Sequence, residues 1–182
     1  MSLFNRSFYS LLCLTRNKYS LNIINRIANI NDFNKIAPNL YLGNINMATN
    51  LVFLKEHNIQ AIVNCTENES FHEYFDDKAK FRININDSKS DENINNFKTQ
   101  IIDAIEFIDN NINENKCVYI HCYWGLMRSA TLVTAYLIKK YNIPIEDAIN
   151  IVKEERPMSL SSIYNFNEVL KFVEEKYNDT PK

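Results

Sequence analysis

The chain has 182 residues, 46% of them hydrophobic, and a formal net charge of −2. That is enough apolar material for one ordinary domain with a core, so global disorder is excluded, and no whole-molecule positive field exists to attract nucleic acid. Cys13, Cys65, Cys117 and Cys122 form no CxxC pair and no metal-ligand spacing, so they read as reduced thiols and no metal site is expected.

Residues 1–31 stand apart. Arg6, Arg16, Lys18 and Arg26 occur there with no acid before Asp32, and Phe4, Phe8, Leu11 and Leu12, then Leu21, Ile24 and Ile27, fall near helical spacing. No apolar run reaches the ~18 residues a membrane span needs, and no small-residue cleavage site follows a compact apolar stretch. Neither a membrane span nor a secretory signal is therefore expected. The segment reads as a helical extension that packs on its own domain or forms a homodimer through residues 1–30. The competing reading is a mitochondrial presequence, against which Asn17, Asn22, Asn25 and Asn29 weigh as poor helix formers. The expected compartment is the cytoplasm, or the mitochondrion on that second reading.

From Ile36 strands and helices alternate. Residues 39–42 predict a short strand ended by Gly43, residues 47–57 a helix with Asn58 at its C-terminal end, and residues 61–65 a buried strand. Residues 81–85 alternate apolar and polar and predict another strand. Ile94, Phe97, Ile101, Ile105, Ile108 and Ile112 step by 3 or 4 along one long amphipathic helix, with Asp91 and Glu92 as expected caps. Residues 117–121 predict the next strand. Residues 129–141 are apolar on nearly every side, as a central helix would be; Pro144 opens a helix ending before Pro157, and a last one starts near Ser161 or Ser162 and buries Ile163, Phe166, Leu170 and Val173. The expected fold is α/β, a mostly parallel central sheet flanked by helices over residues 32–177, with residues 178–182 as a tail. Gly43 and Gly125 are the only glycines, which predicts that Asn takes ordinary left-handed positions and that these two sit where Asn does not fit.

The chemistry-bearing stretch is His121-Cys122-Tyr123-Trp124-Gly125-Leu126-Met127-Arg128-Ser129. It lies between a predicted strand and a predicted buried helix, where sheet carboxyl ends and helix N-termini receive anions. Amides of Tyr123, Trp124, Gly125, Leu126, Met127 and Arg128 are expected to cradle phosphate oxygens. A thiol with a pKa near 8.5 is a poor nucleophile at neutral pH, and this setting favours the thiolate of Cys122. Arg128 is planar and always charged, so it suits a two-point grip on phosphate. Ser129 is expected to donate to the sulfur, and His121 to order the loop without acting as base. At average residue usage His-Cys-x-x-Gly-x-x-Arg arises by chance in on the order of one such chain in several thousand.

This motif resembles the active-site loop of protein tyrosine phosphatases, and the length and layout resemble their dual-specificity branch. Residues 36–44 (IAPNLYLGN) are similar to that family's opening strand, and residues 130–139 (ATLVTAYLIK) to its helix after the loop. The resemblance covers roughly residues 36–175. It implies hydrolysis of phosphotyrosine and phosphoserine or phosphothreonine in a phosphoprotein, through a phosphocysteine intermediate on Cys122, with no cofactor and no metal. It also implies a general acid thirty to forty residues upstream of the cysteine. Asp87, just past a predicted strand end, holds that place; Asp91 is the competing carboxylate. The loop carries bulkier residues than many relatives, with no Lys as in relatives acting on inositol phospholipids, and the family's Pro-Asn pair is missing from residues 156–162. Cys65 ends a strand expected near the loop, as a buried reduced thiol or as a disulfide partner of Cys122. Two other readings stay open: a phosphatase of RNA 5′ ends or another non-protein phosphoester, and a phosphate-binding module without turnover.

Overall fold

A computed structural model describes residues 31–161 and 166–178. The N-terminal extension with its helix, dimer and presequence readings, and Ile163, lie outside the described residues; the last helix starts at Asn167 rather than near Ser161 or Ser162, because the Phe166 carbonyl takes its first amide hydrogen bonds, from Val169 and Leu170.

Among the described residues five strands form one mixed sheet in the order β1-β2-β5-β3-β4. They are β1 (Phe33–Ala37), β2 (Leu40–Gly43), β3 (Ile59–Asn64), β4 (Lys80–Arg82) and β5 (Cys117–His121). Only β1 and β2 pair antiparallel; β2 with β5, β5 with β3 and β3 with β4 are parallel. The expected mostly parallel sheet is present, with an antiparallel edge that the sequence pattern did not reveal. Side chains sort by period two. Leu40 and Leu42, Ala61 and Val63, Val118 and Ile120 face the larger core cluster, while Tyr41, Ile62 and Tyr119 face the smaller one.

The smaller face is covered by α1 (Ile45–Ala48) and α2 (Leu51–Glu56). A single helix over residues 47–57 was expected. The segment breaks because Asn44 and Asn50 each act as an N-cap, accepting from the amides of Asn46 and Met47 and of Val52 and Phe53. The larger face carries α3 (Asp91–Asn113), α4 (Arg128–Tyr141), α5 (Ile145–Glu155) and α6 (Asn167–Asn178). Ser90, rather than Asp91 or Glu92, caps α3, its hydroxyl accepting from the Asn93 amide; the two acids occupy the first turn, where the helix dipole favours them. Helix α4 is buried from Arg128 through Ile138. Strand β4 stops at Arg82, short of the expected Ile85, yet Ile83 and Ile85 are still fully buried. The Asn84 amide binds the Gln100 side chain rather than a neighbouring strand.

Asn39, Asn58, Asn115 and Asn142 do take left-handed backbone angles, at φ 61°, 49°, 60° and 51°. Gly125 has φ +70°, and a Cβ on it would collide with the backbone of Gly43; a Cβ on Gly43 would strike the Tyr119 hydroxyl and the Asp32 carbonyl. The two glycines thus face each other where the loop of residues 122–127 crosses the end of β2.

Candidate active site

Strand β5 places Val118 and Ile120 on the larger core face, and Cys122 continues that period against α4. The chain then makes one tight loop and enters α4 at Arg128. Every carbonyl of the loop is held by a donor. Cys122 O meets the His121 Nδ1 at 3.3 Å, Tyr123 O accepts from the Ile45 amide at 3.2 Å, and Trp124 O accepts from Arg156 Nη2 at 3.2 Å. Gly125 O accepts from Arg156 Nε at 2.7 Å, Leu126 O from the Leu160 amide at 2.9 Å, and Met127 O from the Thr131 amide and hydroxyl at 2.8 and 2.9 Å. Among the described residues no peptide is cis. In a trans peptide the next N–H points opposite to the carbonyl, so each amide of residues 123–128 lies on the side of its peptide away from the donor that holds the carbonyl. There the Gly125 amide donates to the Cys122 sulfur at 3.2 Å.

The sulfur also accepts from the Ser129 hydroxyl at 3.2 Å. Burial alone would push the Cys122 thiol up. The Arg128 charge, opposed in part by Asp87, and the hydrogen bonds from Ser129 reverse that, and the thiol ends below its ordinary value. His121 is fully buried and its pKa is pushed down to about 3, first by burial and then by the Arg82 and Arg128 charges, against the hydrogen bond to Cys122. It is therefore neutral at physiological pH. A carbonyl can only accept, so its proton sits on Nδ1, and Nε2 has no hydrogen-bond partner. This fits an ordering role and not that of a base.

Arg128 is 6% exposed and reaches across from the N-terminus of α4. Nη1 donates to Ile85 O at 3.3 Å and Nη2 to Asp87 Oδ2 at 2.8 Å, while Nε lies 2.7 Å from Asp87 Oδ1 as an ion-pair contact without hydrogen-bond alignment. Asp87 thus meets the fork that would grip phosphate. Its loop is shaped by Asn93, whose Nδ2 donates to Asn86 O at 3.0 Å and Ser88 O at 2.6 Å, and whose Oδ1 accepts from the Asn86 amide at 3.2 Å. The structure brings Cys122, Arg128, Asp87, Ser129 and His121 together, whereas Asp91 stands in the first turn of α3.

Trp124, Leu126 and Met127 are buried rather than displayed; Tyr123 is half-buried and meets the Trp124 ring edge-on. Cys65 is fully buried, with its amide donating to His121 O at 2.8 Å and its thiol pushed well up by burial and by Cys122. Among the described residues it forms no disulfide, with Cys122 or any other cysteine. Sequence reasoning missed Arg156, Asn93 and Leu160. The last is buried with φ 53°, a left-handed angle costly for a branched side chain, and it seals the loop at Leu126 where the Pro-Asn pair was absent. Among the described residues, no cluster of three or more His, Cys, Asp or Glu gathers to hold a metal ion, and no helix is long and apolar enough to cross a membrane.

Comparison with known proteins agrees with this geometry. The family model described as "Dual specificity phosphatase, catalytic domain" matches residues 40–176. Dual specificity protein phosphatase 9 of Homo sapiens is 37% identical over 133 residues, 72% of this chain and 33% of that protein. A probable dual specificity protein phosphatase of Dictyostelium discoideum is 34% identical over 146 residues, 77% of this chain and 64% of that protein. The chain therefore spans between about a third and under two thirds of these relatives. The crystal structure of human DUSP28 superposes with a TM-score of 0.70 at 20% identity, covering 80% of this chain and 95% of that one, which supports the fold.

Proposed function

Because the chain belongs to the dual specificity phosphatase family, we propose that it hydrolyses phosphotyrosine and phosphoserine or phosphothreonine esters of phosphoproteins, using a catalytic unit within residues 32–177. The observation that carries the proposal is the Cys122 sulfur. It receives hydrogen bonds from Ser129 and the Gly125 amide, has a lowered thiol pKa, and sits under a loop whose carbonyls are all tied away.

The substrate's phosphoryl group binds the amides of residues 123–128 and the Arg128 fork, displacing the Asp87 carboxylate from that fork. The Cys122 thiolate attacks phosphorus, forming the S–P bond as the P–O bond to the alcohol or phenol breaks. Asp87, carrying a proton, donates it to the departing oxygen. In the second half a water attacks phosphorus, Asp87 takes up its proton, and the S–P bond breaks to return the thiolate and release inorganic phosphate. The Ser129 hydrogen bond stabilises the sulfur anion as it leaves.

The test is hydrolysis of para-nitrophenyl phosphate in EDTA by full-length protein, followed by a panel of phosphotyrosine and phosphothreonine peptides, 5′-triphosphorylated RNA and phosphoinositides. Turnover is expected on both peptide classes, with inhibition by vanadate, and Cys122→Ser is expected to abolish turnover. Undiminished turnover by that variant would falsify the mechanism; activity confined to the RNA or the phosphoinositides overturns the substrate class.

A further inference from the structure

We infer that Arg156 is a positioning residue for the nucleophile, acting through the Trp124–Gly125 and Gly125–Leu126 peptides rather than by touching substrate. This rests on the phosphatase reading above and concerns a residue that neither the motif nor the proposed chemistry uses.

Arg156 follows the last residue of α5 and is 2% exposed. A buried guanidinium is costly unless its donors are satisfied, and here they are. Nε and Nη2 take the carbonyls of Gly125 and Trp124, while Nη1 donates to Asn31 O and Asn34 Oδ1, both at 2.7 Å. One side of the fork therefore holds two consecutive peptides of the loop, and the other end is fixed to the approach to β1 and to β1 itself. A buried Arg serving only to staple α5 to β1 would need only the second pair.

The loop-side contacts control where two amides point. The Trp124 carbonyl and the Gly125 N–H belong to one rigid peptide unit, as do the Gly125 carbonyl and the Leu126 N–H. Pulling the Trp124 carbonyl toward Arg156 turns the Gly125 N–H the other way, onto the Cys122 sulfur at 3.2 Å. Holding the Gly125 carbonyl likewise turns the Leu126 N–H away from Arg156. Gly125 needs such restraint more than its neighbours, because a glycine peptide otherwise rotates with little steric opposition. Lys at 156 would keep a positive charge but lose the planar fork that reaches two carbonyls at once.

The experiment compares full-length wild type with Arg156→Met, Arg156→Lys and Asn34→Ala. The rate of Cys122 alkylation by iodoacetamide is followed against pH, alongside vanadate affinity and kcat/KM on para-nitrophenyl phosphate. Arg156→Met is expected to move the alkylation midpoint up by about one pH unit, the worth of one hydrogen bond to a charged sulfur. Its vanadate affinity and kcat/KM should fall by about 10²-fold, the lower end of the loss seen on removing one preorganised donor. Arg156→Lys is expected to restore little of this, and Asn34→Ala to shift the midpoint the same way by less. Tying of elements alone would change the melting temperature and leave the midpoint in place. A wild-type midpoint in folded Arg156→Met overturns the inference, as does full recovery by Arg156→Lys. Should Arg156→Met not fold, a wild-type midpoint in both remaining variants overturns it equally. Wild-type protein lacking both a low Cys122 midpoint and turnover would instead reject the phosphatase reading itself.

Discussion

Two loops meet at Arg128, and they are held by different means. The loop of residues 122–127 is fixed by backbone and buried donors, with all of its carbonyls occupied and Cys122, Trp124, Leu126 and Met127 buried. The loop bearing Asp87 is short, polar and partly open; the Asp87 side chain is 44% exposed against 7% for its Arg128 partner. Its shape comes from side chains, chiefly Asn93 and an Asx turn in which Asn86 Oδ1 accepts from the Ser88 amide at 2.8 Å. The difference suits the two proposed tasks. An anion nest lowers a barrier only if its dipoles are oriented before charge develops, whereas an acid that must exchange an arginine for a leaving oxygen has to move.

Removing the acid tests that division most severely. Asp87→Asn is expected to lower kcat by roughly 10²–10⁴, the usual worth of a positioned proton donor, and most for alkyl phosphates with poor leaving groups. Since the variant also takes the competing carboxylate off Arg128, vanadate should bind at least as tightly as to wild type. Weaker vanadate binding, or a larger rate loss from Asp91→Asn, would break the proposed roles of the two loops.

Next comes the grip. Arg128→Lys is expected to cost about 10²–10³ in kcat/KM, because a point charge replaces a fork aimed at two oxygens. The loss should be similar for aryl and alkyl esters, in contrast to Asp87→Asn. A loss under tenfold, measured with para-nitrophenyl phosphate, would show that Arg128 is not the clamp.

Much of this could be read from the sequence, for reasons that differ by element. Strand β5 and helix α4 are continuous apolar stretches, so their limits and the placing of Cys122 between them followed from pattern alone. Asn at left-handed positions and Gly43 and Gly125 at tighter ones followed from backbone sterics. The split between α1 and α2 was not legible, because Asn50 as a cap looks the same in sequence as Asn on a helix surface. The end of β4 was hidden because Ile83 and Ile85 keep the period-two pattern while leaving the ladder. Arg156 was missed for a deeper reason. Its partners lie 31 and 32 residues upstream on one side and over 120 on the other, and no local pattern encodes such contacts. The Arg156-Pro157 pair just past a helix was the one available cue.

His121 gives a smaller effect, on stability. Its native pKa of about 3 lies below the unfolded value near 6.5, so below that pH the unfolded chain binds a proton the folded one does not. The contribution is fully present above pH 6.5 and is lost as pH falls toward 3. At pH 5 the loss is about 2 kcal/mol, from 1.36 kcal/mol per pH unit. Urea unfolding at pH 7.5 and 5 should show a stability drop smaller by this amount in His121→Asn than in wild type. Equal drops would mean that His121 is protonated in the folded protein.

The smallest expected effect probes how the open loop is aimed. Asn93 is 5% exposed in the first turn of α3, and its side chain holds Asn86 O and Ser88 O on either side of Asp87. Each such bond is worth about 0.5–1.5 kcal/mol net, so Asn93→Ala is expected to lower kcat by about fivefold to twentyfold. The residue never meets substrate, and the nest is untouched, so the Cys122 alkylation profile should stay as in wild type. The loss should grow with the pKa of the leaving group, as for Asp87→Asn but less steeply. In the double variant Asp87→Asn/Asn93→Ala the second change should cost nothing further, because aiming a loop that carries no acid has no effect on proton transfer. An additive loss in that cycle would place Asn93 on the nest side of Arg128, and the two loops would then act as one unit.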